Sequence, residues 1–218
     1  MRPSLSSSPP TAVVFDLGGV LIDWDPRYLY RTLFADTASM ERFLAEVTTQ
    51  EWNEAQDAGR PWAEAVEALA ARFPDQRPLI EAYRLRWAET LGGAIDGTVE
   101  ILSDLRARGV RLLALSNWSA ETFPVAYDRY PFLAWFEGIV ISGEVGVAKP
   151  DTRIFEALIE RYGVEPSRTV FVDDGEANVV AAQELGFIGV RFVDPGTLRA
   201  DLERVGLLGG RAGGSGSS

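Results

Sequence analysis

The chain of 218 residues has no cysteine and no histidine. Those absences remove disulfides, thiolate nucleophiles, Cys/His zinc sites, Ser-His-Asp triads and imidazole general bases. Any catalysis is left to carboxylates, lysine, arginine, hydroxyls, amides or a bound metal. No apolar run approaches the roughly 18 residues that a membrane span requires, so no membrane partner is expected. Nor does the start read as a secretion signal, because the short apolar run Ala12 to Phe15 is followed at once by Asp16. Both points favour a cytoplasmic protein. Basic residues are also scarce, 21 against 32 acidic ones for a net charge of −11. This balance argues against a nucleic-acid partner, which needs clustered Lys and Arg, and suits a protein that holds a divalent cation.

What is present describes a folded domain. A hydrophobic fraction of 46% is ordinary for a chain that buries a core, and the length favours one domain or one domain with an insertion. Residues 1–10 are rich in Ser and Pro and residues 209–218 in Gly and Ser, so both ends are expected to be disordered. Between them, Ala12 to Phe15, Val110 to Leu115, Gly138 to Ser142, Thr169 to Val172 and Ile188 to Phe192 read as buried strands. The last four alternate with amphipathic helices at Asp96 to Arg108, Asp151 to Tyr162 and Gly175 to Leu185, each stopped by a glycine. Alternation of this kind predicts an α/β fold with a parallel sheet, which binds ligands at the C-terminal ends of its strands.

Residues 22–93 break the rhythm. They show no convincing strand, and their helical stretches start near Pro26, Thr37, Pro61 and Asp75. We read them as a separate helical subdomain over the sheet edge, with residues 11–21 and 94–208 as the core. Trp24, Trp52, Trp62 and Trp87 fall in this insert; most are expected in its own core, with one or two lining a pocket.

The residues just past each strand are chemically consistent. They are Asp16 with Leu17-Gly18-Gly19, then Ser116-Asn117, then Lys149-Pro150, then Asp173-Asp174 with Asn178. Carboxylates crowded at one rim protonate unless a cation neutralises them. Mg²⁺ suits such oxygen ligands, and a lysine nearby suits an anion bridging to the metal, phosphate above all. Each residue also has a plainer reading: helix caps for Asp16, Asp173 and Asp174, an N-cap for Ser116, a solvated loop for Lys149 and surface polarity for Asn178.

The segments, in this order and at these strand ends, resemble the motifs of the haloacid dehalogenase superfamily, whose members are mostly Mg²⁺-dependent phosphatases. The resemblance runs from Ala12 to about Leu208 and implies a Rossmann-like core with an inserted alpha-helical cap. It further implies Asp16 as the nucleophile forming an aspartyl-phosphate, with Mg²⁺ held by Asp16, the Gly18 carbonyl, Asp173 and Asp174. Ser116, Asn117 and Lys149 would bind the phosphoryl group, and Asn178 would orient the last loop. The expected partner is a small phosphorylated molecule, a sugar phosphate by resemblance to small bacterial glucose-1-phosphate phosphatase-like proteins, and the expected state is a monomer or homodimer.

One position departs from the pattern. Most phosphatases of the superfamily carry a second aspartate, the general acid and base, where this chain has Gly18. Asp23 and Asp25 are the nearby carboxylates, although Asp25 before Pro26 is a good N-cap. The dehalogenating branch also lacks that aspartate, because a halide leaves without a proton, but it generally lacks the acidic pair of the last motif and works without metal. A 2-haloacid dehalogenase is therefore the second reading, and a non-catalytic binding module on the same fold the third.

Overall fold

A computed structural model describes residues 9–209. The chain ends expected to be disordered lie outside these residues, apart from Pro9, Pro10 and Gly209. The core is a five-stranded parallel sheet made of β1 (Ala12–Phe15), β4 (Arg111–Ser116), β5 (Gly138–Ile141), β6 (Thr169–Asp173) and β7 (Ile188–Arg191). They lie in the order β5-β4-β1-β6-β7, and every strand expected from the sequence is among them.

β1 is buried along its whole length because the sheet is covered on both faces. Its side chains alternate between two cores. Val14 joins Leu113, Leu115 and Phe171 on the face covered by α9 (Thr152–Tyr162) and α10 (Glu176–Glu184). Val13 and Phe15 join Leu112, Val170 and Val172 on the other. That second face packs against α6 (Asp96–Ala107) and α11 (Pro195–Arg204). Asp151 caps α9 by accepting from the Arg153 N–H, and Gly163 closes the helix in the left-handed region, as its place in the sequence suggests. Asp96 does not cap α6, whose cap position is Ile95 with no side-chain hydrogen bond.

The insert is helical, with one correction. Its helices are α1 (Pro26–Tyr30), α2 (Thr37–Glu46), α3 (Gln50–Asp57), α4 (Trp62–Arg72) and α5 (Arg77–Leu85). Contrary to expectation it is bounded by two strands, β2 (Ile22–Trp24) and β3 (Leu91–Ala94), paired antiparallel. They escape a sequence reading because they are very short and β3 carries Gly92 and Gly93, poor strand formers. Helix α3 also lacks a counterpart in the expected helix starts; Thr49 begins it by accepting from the Trp52 N–H. Two further short helices of the core, α7 (Phe123–Arg129) and α8 (Ser142–Val145), follow β4 and β5.

The insert and the sheet share one hydrophobic cluster, which runs from Phe15 and Val172 to Tyr30, Trp62 and Tyr83. Polar bonds add to the seam. Trp62 Nε1 donates to the Ser119 hydroxyl at 3.0 Å, the Trp62 N–H donates to Glu121 at 2.8 Å, and the Ser142 hydroxyl donates to the Asp57 carbonyl. Gly143 lets the loops after β4 and β5 touch, since a Cβ there would stand 2.4 Å from the Ala120 nitrogen. No helix among the described residues is long and apolar enough to cross a membrane.

The second core supplies a stability prediction. Phe155 is fully buried, with ring centroids 5.2 Å from Phe171 and 6.2 Å from Phe187. Phe155→Ala is expected to cost about 3–5 kcal/mol in urea denaturation, while the activity of the molecules that remain folded is unchanged.

Candidate active site

The order of the strands fixes where chemistry collects. The chain leaves β1 toward β4 and β5, then crosses back to β6 and β7, so the order reverses beside β1. Ligands of open α/β sheets bind outside the strand ends at such a point. Asp16 follows β1 there, and its N–H donates to the Val172 carbonyl of β6 at 2.8 Å.

Three donors converge on Asp16 Oδ1: the Leu17 N–H at 2.7 Å, the Ser116 hydroxyl at 2.6 Å and Lys149 Nζ at 3.0 Å. Oδ2 receives no protein donor among the described residues. Lys149 is not a solvated loop lysine, because only 1% of its side chain is exposed. Its Nζ also lies 2.6 Å from Asp173 Oδ2 and 2.9 Å from the Leu115 carbonyl. Burial works against this ammonium, and the Asp16 and Asp173 carboxylates more than offset it, so its pKa is above the usual lysine value. Asn117 clamps the lysine from behind: its Nδ2 donates to the Lys149 carbonyl at 3.0 Å and its Oδ1 accepts from the Lys149 N–H at 2.8 Å.

Asp173 is fully buried, and both its oxygens are engaged. Oδ2 meets Lys149, while Oδ1 accepts from the Gly175 N–H at 2.8 Å and from Asn178 Nδ2 at 2.9 Å. Asn178 is thus a brace for the last loop rather than surface polarity. Asp174 faces the cavity instead. Gly19 makes room for it: its φ of +74° suits glycine, and a Cβ there would stand 2.6 Å from the Asp174 carboxylate.

Carboxylate oxygens of Asp16, Asp173 and Asp174 lie within 4.8 Å of one another. One ammonium cannot balance three such groups. Burial pushes Asp16 up to about 7, against the pull of Lys149, and burial followed by the Asp173 charge raises Asp174. Two negative charges are left for a divalent cation. The donors open to it are Asp16 Oδ2, Asp174 and the Gly18 carbonyl, which accepts no backbone hydrogen bond among the described residues. An all-oxygen set fits Mg²⁺.

These groups open into a cavity of about 510 Å³ between the sheet edge and the insert. Trp24, Trp87 and Trp118 line it, whereas Trp62 is buried in the insert. Asp25 and Asp23 are spent elsewhere: Asp25 caps α1 by accepting from the Arg27 N–H at 2.8 Å, and Asp23 accepts from the Tyr28 hydroxyl at 2.6 Å. Sequence reasoning missed Asn53, Glu54 and Asp57, which also line the cavity. All three lie on α3, and the signal for that helix was Thr49 as its N-cap. Burial pushes the Asp57 carboxyl up to about 7.

A family model for haloacid dehalogenase-like hydrolases matches residues 10–186. The chain belongs to this family of hydrolases. It is 25% identical to the sesquiterpene phosphatase of Aspergillus oryzae, over 84% of this chain and 90% of that protein. Its structure is similar to that of a family enzyme from Bacteroides thetaiotaomicron crystallised as a magnesium complex (TM-score 0.69, 25% identity, 90% of this chain and 100% of that one). It is also similar to a crystallised dehalogenase (TM-score 0.63, 26% identity, 86% of each chain).

The buried triad of charges generates a test. Lys149→Met leaves Asp16 and Asp173 without their ammonium, and removing one partner of a buried ion pair costs about 3–5 kcal/mol. Urea denaturation at neutral pH in the absence of metal is expected to show that loss.

Proposed function

We propose that the protein is a Mg²⁺-dependent phosphatase that hydrolyses a small phosphomonoester through an aspartyl-phosphate on Asp16. The observation that carries this reading is the division of labour on one carboxylate. Asp16 Oδ1 is held by the Leu17 N–H, Ser116 and Lys149, the last two being donors a phosphoryl group needs, while Oδ2 has no protein donor among the described residues and Asp16 shares a carboxylate cluster with Asp173 and Asp174. The magnesium complex of the similar Bacteroides enzyme and the phosphatase among the relatives support it.

Asp16 Oδ2, the Gly18 carbonyl and Asp174 would hold Mg²⁺, with Asp173 reaching it through water. Bound there, the ion would neutralise the carboxylates and polarise the phosphoryl oxygens. The protein's own groups do the rest. When the ester enters, the Ser116 hydroxyl and Lys149 Nζ pass from Asp16 to the phosphoryl oxygens and stabilise the charge that develops there. Asp16 Oδ1, freed of them, bonds to phosphorus as the bond to the alcohol oxygen breaks. Water then attacks the phosphorus of the aspartyl-phosphate, and Asp16 is regenerated with release of phosphate. The helical insert acts as a cap that shapes the alcohol side of the cavity.

With Gly18 in place of the usual acid, the departing oxygen takes its proton from water. A Cβ at Gly18 would meet nothing within 4 Å, and the residue has no positive φ, so a side chain fits there. Gly18→Asp is expected to accelerate alkyl phosphates by up to the roughly 10²–10⁴-fold of general acid–base catalysis. Little gain is expected for p-nitrophenyl phosphate, whose leaving group needs no proton.

The dehalogenase reading is favoured by Gly18 and by the similarity to a crystallised dehalogenase; the Asp173–Asp174 pair opposes it. Phosphate release from p-nitrophenyl phosphate with Mg²⁺, lost with EDTA and in Asp16→Asn, is the expected result. EDTA-insensitive chloride release from 2-chloropropionate would replace the phosphatase by the dehalogenase. Absence of turnover on both would favour a binding module.

A further inference from the structure

If Asp16 is the nucleophile of a phosphatase, on which reading this inference rests, the cavity in front of it also defines the alcohol half of the ester. The phosphate end of that cavity is made by Asp16, Ser116 and Asp174, its far wall by the insert. That far wall is short of positive charge. Among the described residues lining the cavity, Arg27 is the one cation. Its guanidinium is occupied: Nε and Nη2 donate to the two oxygens of Glu41, each at 2.7 Å, and Nη1 donates to Asp25 at 3.3 Å. The hydrogen bond from Arg27 holds the Glu41 carboxyl below its ordinary range. Glu54 and Asp57 add two further acidic groups to the same wall, and Asn53 adds an amide.

An ester whose alcohol carries its own carboxylate or second phosphate would place that anion beside Glu41 and Glu54, with no free cation among the described lining residues to receive it. Like charges brought together in a partly dry cavity repel strongly. An alcohol rich in hydroxyl or ammonium donors instead finds acceptors on α2 and α3, with Trp24 and Trp87 also lining the cavity. We infer that the site selects phosphomonoesters whose alcohol bears no negative charge and offers hydrogen-bond donors, with Glu41 setting this preference by occupying Arg27. The same wall disfavours 2-haloacids, which must bring a carboxylate.

The test is a matched series of small esters on the Mg²⁺-loaded protein: glycerol 1-phosphate, ethanolamine phosphate and phosphoglycolate, beside p-nitrophenyl phosphate. The neutral and cationic esters are expected to exceed phosphoglycolate in kcat/KM by at least about tenfold, the discrimination of one unfavourable charge contact. In Glu41→Gln, Arg27 is released to bind an anion, and that ratio is expected to fall by about tenfold through a lower KM for phosphoglycolate. Phosphoglycolate turned over as well as glycerol 1-phosphate by the unmodified protein, or a ratio unchanged in Glu41→Gln, would overturn the inference. Failure of all four esters, p-nitrophenyl phosphate included, would strike the phosphatase reading instead. The cavity is then judged by thermal shift of Asp16→Asn with the same esters: stabilisation by glycerol 1-phosphate above phosphoglycolate upholds the charge preference, and equal shifts refute it.

Discussion

The ammonium of Lys149, buried between Asp16 and Asp173, is the contact on which the rest of the site depends. Without it two carboxylates would face each other at the dry end of the sheet, a cost that no packing at the rim could offset. Its presence lets β1 and β6 end in acids side by side, so the surrounding residues are arranged to hold it. Asn117 fixes its backbone, the Leu115 carbonyl accepts a hydrogen bond from its ammonium, and Asn178 with the Gly175 N–H steadies its partner Asp173. A network in which every member is satisfied is rigid, and rigidity places Ser116 and Asp16 within 2.6 Å of each other across a hundred residues of sequence.

The sheet and the rim residues were readable in the sequence because both are dictated locally. Strands buried on both faces leave unbroken apolar runs, and a residue following such a run must lie at the sheet's C-terminal edge. Asp16, Ser116 and Asp173 could be placed in this way, while Lys149 stands in the loop beyond α8. What each does to the others was not readable. Nothing around Lys149 in the sequence announces that its side chain is enclosed, since the burial comes from strands that are distant in the chain. The ribbon of β2 and β3 was missed for the opposite reason: its pairing is tertiary, and Gly92 and Gly93 hide it. The contribution of α3 to the cavity was missed because a short helix with little apolar content looks like a polar loop.

The absence of histidine takes on a specific meaning beside this geometry. In the proposed reaction Asp16 is the nucleophile and Lys149 the fixed cation, and the position of the usual acid is held by Gly18. The carboxylates closest in sequence, Asp23 and Asp25, are engaged by Tyr28 and Arg27. Reactivity is therefore set by the leaving group's own basicity and by the wall that receives it. On that proposal, the end of the cavity at Asp16 would decide what can happen, and the insert to which molecule.

The pairing of β1 with β6 has one more consequence. Phe15 stands opposite Val172, so Asp16 and Asp173 are the next residues along two neighbouring parallel strands. Their separation is set by the spacing of about 4.8 Å between hydrogen-bonded strands rather than by side-chain packing. A slip of β6 by one residue would turn Asp173 toward the opposite face of the sheet and bring Val172 or Asp174 to the lysine. The acidic rim thus acts as a proofreader of strand alignment. Only the correct pairing lets Lys149 be buried with its one charge facing both Asp16 and Asp173, so the groups gathered at this rim also help the chain recognise its own fold.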